Sequence, residues 1–410
     1  MRHSKEVHCE ANTHWNLGEV RGVIEPMNRL RALLVIVLAL AILPAAGAKG
    51  ARSELNVRPS GERGPLVQYD LTTASKRVAL PAGMLSADGL RFAFIRGRKL
   101  SFYSVPGHAV SFDAPVALHS TVDAVSPEAR YVVVQTGAQA RVIDGLRGGV
   151  LRKVTLRRGF TIDAISPEGR WLYLIQHTNG QQYAVRRLNL RTGVLQAGAL
   201  VEKGEQEQMA GTPAGAIQSW DGNWQFTLYV NTADKMAFVH ALSLNQSFTV
   251  CIDLPGTGTP AQLRTYSLAL SNDGHLFAAN PALGVIADIS LDTFRPVVKR
   301  FPAASAARTA SAATAPDGYR VAFSAGPRIW LFDGDSVRGP YAADANVVGL
   351  GFADARRLYA ARMKGPLMAF DAATGKRRLG GNRSHFRRLR DLPHDLDDVA
   401  VRVEDAQLAV

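Results

Sequence analysis

Three glutamates fall within six residues in the stretch VEKGEQEQM: Glu202, Glu205 and Glu207. Carboxylates this close are hard oxygen donors of the kind calcium takes. No cofactor is expected, with calcium as the alternative, and no dedicated metal site is expected. A run of like charges on a loop is also what ordinary solvated surface looks like. A second dense feature is KRRLGGNRSHFRRLR, residues 376–390, with Lys376 and six arginines, Arg387 and Arg388 among them. Guanidinium forks of this kind dock carboxylates or phosphates. One aromatic, Phe386, is too few for a base-stacking platform, so nucleic acid is not an expected partner. Further polar candidates are His177 in HTNG, Asp234 in NTADK, and Arg362 and Lys364 in RMKG.

Motifs for catalysis are sparse. There is no G-x-S-x-G elbow, H-E-x-x-H pair, phosphate-binding G-K-S/T loop or C-x-x-C pair. Asp333-Gly334-Asp335 is too short for an EF-hand loop. His240 lies within the apolar run MAFVHALSL and reads as a core histidine with its polar atoms satisfied. Cys251, in FTVCIDL, reads as a buried inert thiol.

The elements that would position these residues follow from a repeat. An apolar strand, a Ser-Pro-Asp-Gly type of turn and a second apolar strand recur at Ser86 (SADGLRFAFI), Ser126 (SPEARYVVV), Ser166 (SPEGRWLYLI), Ser219 (SWDGNWQFTLYV) and Ser271 (SNDGHLFAA). Weaker copies begin at Ala315 (APDGYRVAFS), Ala353 (ADARRLYAA) and Arg402 (RVEDAQLAV). Proline at the second turn position presets φ, Asp or Glu bonds the backbone ahead, and glycine accepts the positive φ that closes the hairpin. A third strand then ends in an apolar residue plus aspartate, as at Tyr69-Asp70, Ile143-Asp144, Phe332-Asp333 and Phe370-Asp371. Turns such as Ala373-Thr374-Gly375 lead into a fourth strand.

Four strands per period of about 40–50 residues is the size of one propeller blade. In SPEG and FDAATG the repeats resemble those of YVTN and WD-repeat β-propellers, a resemblance that spans residues 65–410. It implies an all-β ring of four-stranded blades, and it says little about function. Residues 65–80 look like third and fourth strands with no first or second before them. Residues 398–410 look like a first and second strand with nothing after. The expectation is thus eight blades, closed by a composite blade from both termini, with seven as the alternative.

In such a ring the second-to-third-strand loops and the blade-to-blade connections share one face, and long loops on a rigid scaffold carry binding. That face, around the channel, is where Glu202, Glu205, Glu207, His177, Asp234, Arg362 and Lys364 are expected to act.

The 410-residue chain carries a formal charge of +13. Residues 27–48, MNRLRALLVIVLALAILPAAGA, combine Arg29 and Arg31, an apolar run and a closing Ala-Gly-Ala, the pattern of a cleaved export signal. The apolar run from Ala32 to Leu43 is shorter than the ~20 residues that span a bilayer. Membrane contact is expected only if this segment stays uncleaved as an anchor. Residues 1–26 read as a leader from a start assigned too early, 49–64 as a linker and 65–410 as the propeller. A secreted, periplasmic or cell-surface monomer follows, and outside the cytoplasm a basic protein favours anionic envelope polymers or proteins as partners. A non-catalytic binding or scaffold module is the favoured reading. A calcium-dependent lactonase-like hydrolase is the alternative, ahead of a quinoprotein-like dehydrogenase. The dehydrogenase reading rests on AFDAATGK at 369–376, which is similar to a quinoprotein blade motif; Leu379 stands where that motif has tryptophan.

Overall fold

A computed structural model describes residues 54–59, 61–200 and 209–378. Seven antiparallel four-stranded blades stand around a central channel. Numbered along the chain, blade 1 runs from the end of Ser75–Leu85 to Ala109–Pro115, blade 2 from Thr121–Val125 to Val150–Thr155, and blade 3 from Phe160–Ile165 to Met209–Ala210. Blade 4 runs from Thr212–Gln218 to Thr249–Asp253, blade 5 from Ser267–Leu270 to Pro296–Arg300, blade 6 from Ala310–Thr314 to Val337–Ala342, and blade 7 from Val347–Asp354 to Arg377–Arg378. The only helix among the described residues is one turn, Pro260–Leu263, between blades 4 and 5, capped reciprocally by Thr259 and Gln262. No helix among them is long and apolar enough to cross a membrane.

The repeated serine has a specific job. In blades 2, 3 and 4 the hydroxyls of Ser126, Ser166 and Ser219 accept the N–H of Tyr131, Trp171 and Trp224 at 2.9, 3.0 and 2.9 Å. These serines are buried, so the bond satisfies both partners where water does not reach. The aspartate closing the third strand works the same way: Asp144 Oδ1 accepts from the N–H of Leu146 and Arg147, and Asp371 Oδ1 from Ala373 and Thr374. Local side-chain chemistry thus fixes both turns on one face, termed here the turn face.

The blades then stack through their broad faces. Between blades 1 and 2 lie Phe102, Val122 and Val132; between 4 and 5, Phe226, Val239 and Leu276; between 6 and 7, Leu331, Phe352 and Phe370.

The blade count is the seven that the sequence allowed as the alternative to eight, and closure also differs from the expectation. Strands Glu54–Val57, Pro65–Asp70 and the first half of Ser75–Leu85 form a three-stranded sheet between blades 7 and 1. Its two faces are both buried, Leu55, Val57 and Leu71 against Tyr359 and Ala361 of blade 7, and Leu66 and Leu80 against Phe92 and Phe94 of blade 1. Ring closure therefore uses Glu54–Val57, which the sequence assigned to a linker. Its pairing partner lies beyond a seven-residue excursion, and four residues show no periodicity alone. Residues 398–410, expected to share this blade, lie outside the described residues.

Candidate functional site

The innermost strands of blades 2 and 3 repeat one phrase, Thr121-Val122-Asp123-Ala124-Val125-Ser126 and Thr161-Ile162-Asp163-Ala164-Ile165-Ser166. In each, the aspartate is the extra residue of a β-bulge. Pairing jumps from Val122↔Val134 to Ala124↔Val133, and from Ile162↔Leu174 to Ala164↔Tyr173. A bulge re-aims one side chain while its neighbours keep their register. Val122, Val125, Ile162 and Ile165 therefore stay in the cores between blades, and the two carboxylates are released from them.

What meets these carboxylates is the connection between the first two strands of the N-terminal sheet. It turns through Gly61, at φ +86, with Gly64 N–H bonded to Gly61 O at 3.0 Å. Arg58 Nη1 donates to Glu62 O at 3.1 Å. Arg63 then reaches two blades at once, with Nη2 donating to Ile162 O at 2.8 Å and Nη1 standing 3.4 Å from Asp123 Oδ1. Glycine-rich backbone and one long guanidinium so bolt this segment across the channel end opposite the turn face, on the side of the second-to-third-strand loops, termed the loop face.

The electrostatics there are unusual. Desolvation raises the Asp123 carboxyl above its ordinary range, against the pull of Arg63. Enclosure pushes Asp163 up to about 7, with Glu62 adding repulsion and Arg63 opposing. Asp163 keeps part of its surface open while protein surrounds it, so it can exchange a proton near neutral pH. Among the described residues, no three His, Cys, Asp or Glu side chains gather as a metal site requires.

Beyond this plug lies a cavity of about 610 Å³. Arg58 and Glu62 line its inner end, and Glu54 with the turns Ser86–Gly89 and Gln218–Trp220 lines its mouth. Both are first-to-second-strand turns, so the cavity reaches the turn face. Trp220, 47% exposed, presents the largest aromatic surface at that mouth.

The residues singled out from sequence stand elsewhere. His177 is exposed on blade 3, with Nε2 3.2 Å from Thr161 Oγ1. Asp234 accepts from Asn231 Nδ2 at 2.6 Å and closes its own loop on blade 4. Arg362 of blade 7 donates to Pro366 O at 3.1 and 2.8 Å and to Ala343 O at 3.3 Å, a backbone staple, with the exposed Lys364 beside it. None of the four lines the cavity. Glu202, Glu205, Glu207, Arg387 and Arg388 lie outside the described residues. The flanks of the glutamate stretch, Leu200 and Met209, pack between blades 3 and 4.

His240 is buried as expected, edge-on to the rings of Tyr183 and Tyr229 at 6.3 and 6.2 Å. It is not fully satisfied, since Nε2 has no hydrogen-bond partner, and burial lowers its pKa to about 4. Cys251 is buried too, its Sγ 3.7 Å from Met209 Sδ.

The sequence reasoning missed Arg63, Asp123 and Asp163. The duplicated Thr-x-Asp-Ala-x-Ser phrase was a legible signal for the aspartates. Nothing local marks Arg63, whose partners lie 60 and 99 residues away.

No protein-family model matches the chain, and no curated protein matches it. Among solved structures it is similar to apo AztD from Citrobacter koseri, with a TM-score of 0.51 and 12% identity over 80% of this chain and 93% of that one. It also overlaps dihydro-heme d1 dehydrogenase NirN in complex with DHE (TM-score 0.47, 16% identity, 83% of this chain and 76% of that chain). BamB from Moraxella catarrhalis gives a TM-score of 0.43 and 13% identity over 78% of this chain and 98% of that chain. At such identities the likeness shows the propeller fold alone, a scaffold that hosts unrelated functions.

Proposed function

We propose that this chain is an exported binding module whose ligand enters the central channel from the turn face. The observation that carries the reading is the channel cavity of about 610 Å³, which runs from Arg58 and Glu62 of the Arg63 segment to Trp220 at the turn-face mouth. A concave, rigidly walled site with an aromatic rim and a few charged groups inside is suited to recognition. Arg58 beside Glu62 gives the inner end both signs of charge, which favours a ligand carrying polar groups of both kinds. Export rests on the signal-like segment 27–48 and predicts a mature chain beginning at Lys49. The partner class is a protein or an anionic envelope polymer that presents a protruding group to the channel.

The test is native mass spectrometry of the chain recovered from an exporting cell, beside an Ala87→Trp variant that narrows the cavity mouth. The expected result is a mass excess on the unmodified chain that is lost from the variant, together with an N-terminus at Lys49. A bare mass on both, or an excess that the variant retains, contradicts the channel reading.

A further inference from the structure

Away from the channel, a cleft of about 440 Å³ opens on the turn face between blades 2 and 3. Three arginines line it: Arg152 from the outer strand of blade 2, and Arg170 and Arg191 from two turns of blade 3. Among the described residues, none of the three has a carboxylate within ion-pair distance, whereas Arg77, Arg357 and Arg378 hold aspartates at 2.6–2.7 Å. Arg170 is held in place by stacking on Trp171, 5.0 Å from the ring centroid. Glycine keeps the cleft open on both sides. A Cβ on Gly169 would stand 2.7 Å from the Tyr131 ring, and one on Gly193 would stand 2.6 Å from Arg152 Nη2. Leu151, 52% exposed, adds an apolar wall.

Three unpaired guanidinium groups in one cleft repel one another, and an oxyanion between them reverses that cost. From these observations the geometry points to a binding site for a phosphate group carried on a compact body, such as a sugar phosphate, whose ring rests on Leu151 and Tyr131. Three planar forks suit the three terminal oxygens and double charge of a phosphate monoester better than a single carboxylate. This site is distinct from the channel and does not depend on its occupancy.

Calorimetric titration of the full chain with glucose 6-phosphate, glucose and glucuronate tests the assignment. The phosphate ester is expected to bind, glucose not to bind, and glucuronate to bind at least tenfold more weakly. The double variant R152Q/R191Q is expected to weaken phosphate-ester binding about 100-fold, since each lost charge-assisted contact costs about tenfold. R77Q, which removes a paired arginine elsewhere, leaves it unchanged. Should the double variant fold poorly, L151E serves instead, placing a carboxylate at the exposed wall, and it too is expected to abolish binding. Absence of phosphate-ester binding, equal binding of glucuronate, or unchanged affinity in R152Q/R191Q or L151E overturns the proposal.

Discussion

Gly349 of blade 7 lies directly under Val57 of the N-terminal sheet. A Cβ at Gly349 would stand 2.4 Å from Val57 Cγ1 and 2.8 Å from Cγ2. Gly349→Ala leaves the backbone unstrained, because φ there is not in the left-handed region. It forces the sheet off blade 7, since valine is stiff at χ1 and cannot swing aside. Overpacking of this kind costs about 1–3 kcal/mol, offset by about 0.4–1 kcal/mol from the less flexible unfolded chain. Val57→Ala alone removes two buried methyl groups and costs about 2 kcal/mol. The double variant has room for the new methyl, so its loss is expected to fall short of the sum by about 1 kcal/mol or more. Urea unfolding of all four proteins gives the coupling, and hydrogen exchange of residues 54–70 locates it. Strictly additive losses would refute the claim that Glu54–Val57 closes the ring on blade 7.

Three further outcomes follow from polar groups that the protein encloses. His240 titrates near 6.5 when unfolded and about 4 when folded, so its contribution is complete above pH 6.5 and lost as pH falls toward 4. That span is worth about 3 kcal/mol, and His240→Leu is expected to flatten it in urea melts taken from pH 7 to 4. Asp163 has the opposite sign: its folded pKa of about 7 lies above 3.8, so its contribution is complete below pH 3.8 and lost as pH rises through 7. Asp163→Asn is therefore expected to raise the melting temperature at pH 8 and to do little at pH 4. Tyr173 OH donates to Leu244 O at 2.8 Å and lies 2.8 Å from Ser247 Oγ, which ties blade 3 to the blade 4 turn. Tyr173→Phe is expected to cost about 1–2 kcal/mol in the same melts.

The parts of the fold legible in the sequence are those written in local chemistry. Ser126-Pro127-Glu128 and Ser166-Pro167-Glu168-Gly169 mark their turns because hydroxyl, proline and glycine each satisfy a requirement within five residues. Seven of the eight copies fall on the first-to-second-strand turns of the seven four-stranded blades; the eighth, at Arg402, lies outside the described residues. Glu54–Val57 escaped notice because a four-residue strand is defined by its partner, here Val67–Asp70, and by blade 7 nearly three hundred residues on. The site was less legible for the same reason. His177, Asp234, Arg362 and Lys364 stand out as polar loop residues, yet three of them bond within their own neighbourhood. Asp123 and Asp163 looked like ordinary strand residues until bulges turned them out of the blade cores. Arg63 carries no local signature at all.

The channel reading is tested most directly by site-specific photo-crosslinking in the exporting cell. A benzophenone side chain is placed at Trp220, on the turn-face mouth, or at Lys364, on the opposite face. The account predicts a discrete crosslinked product from position 220, and none from position 364. Crosslinking from 364 alone, or equally from both, would contradict it and move the binding site to the loop face.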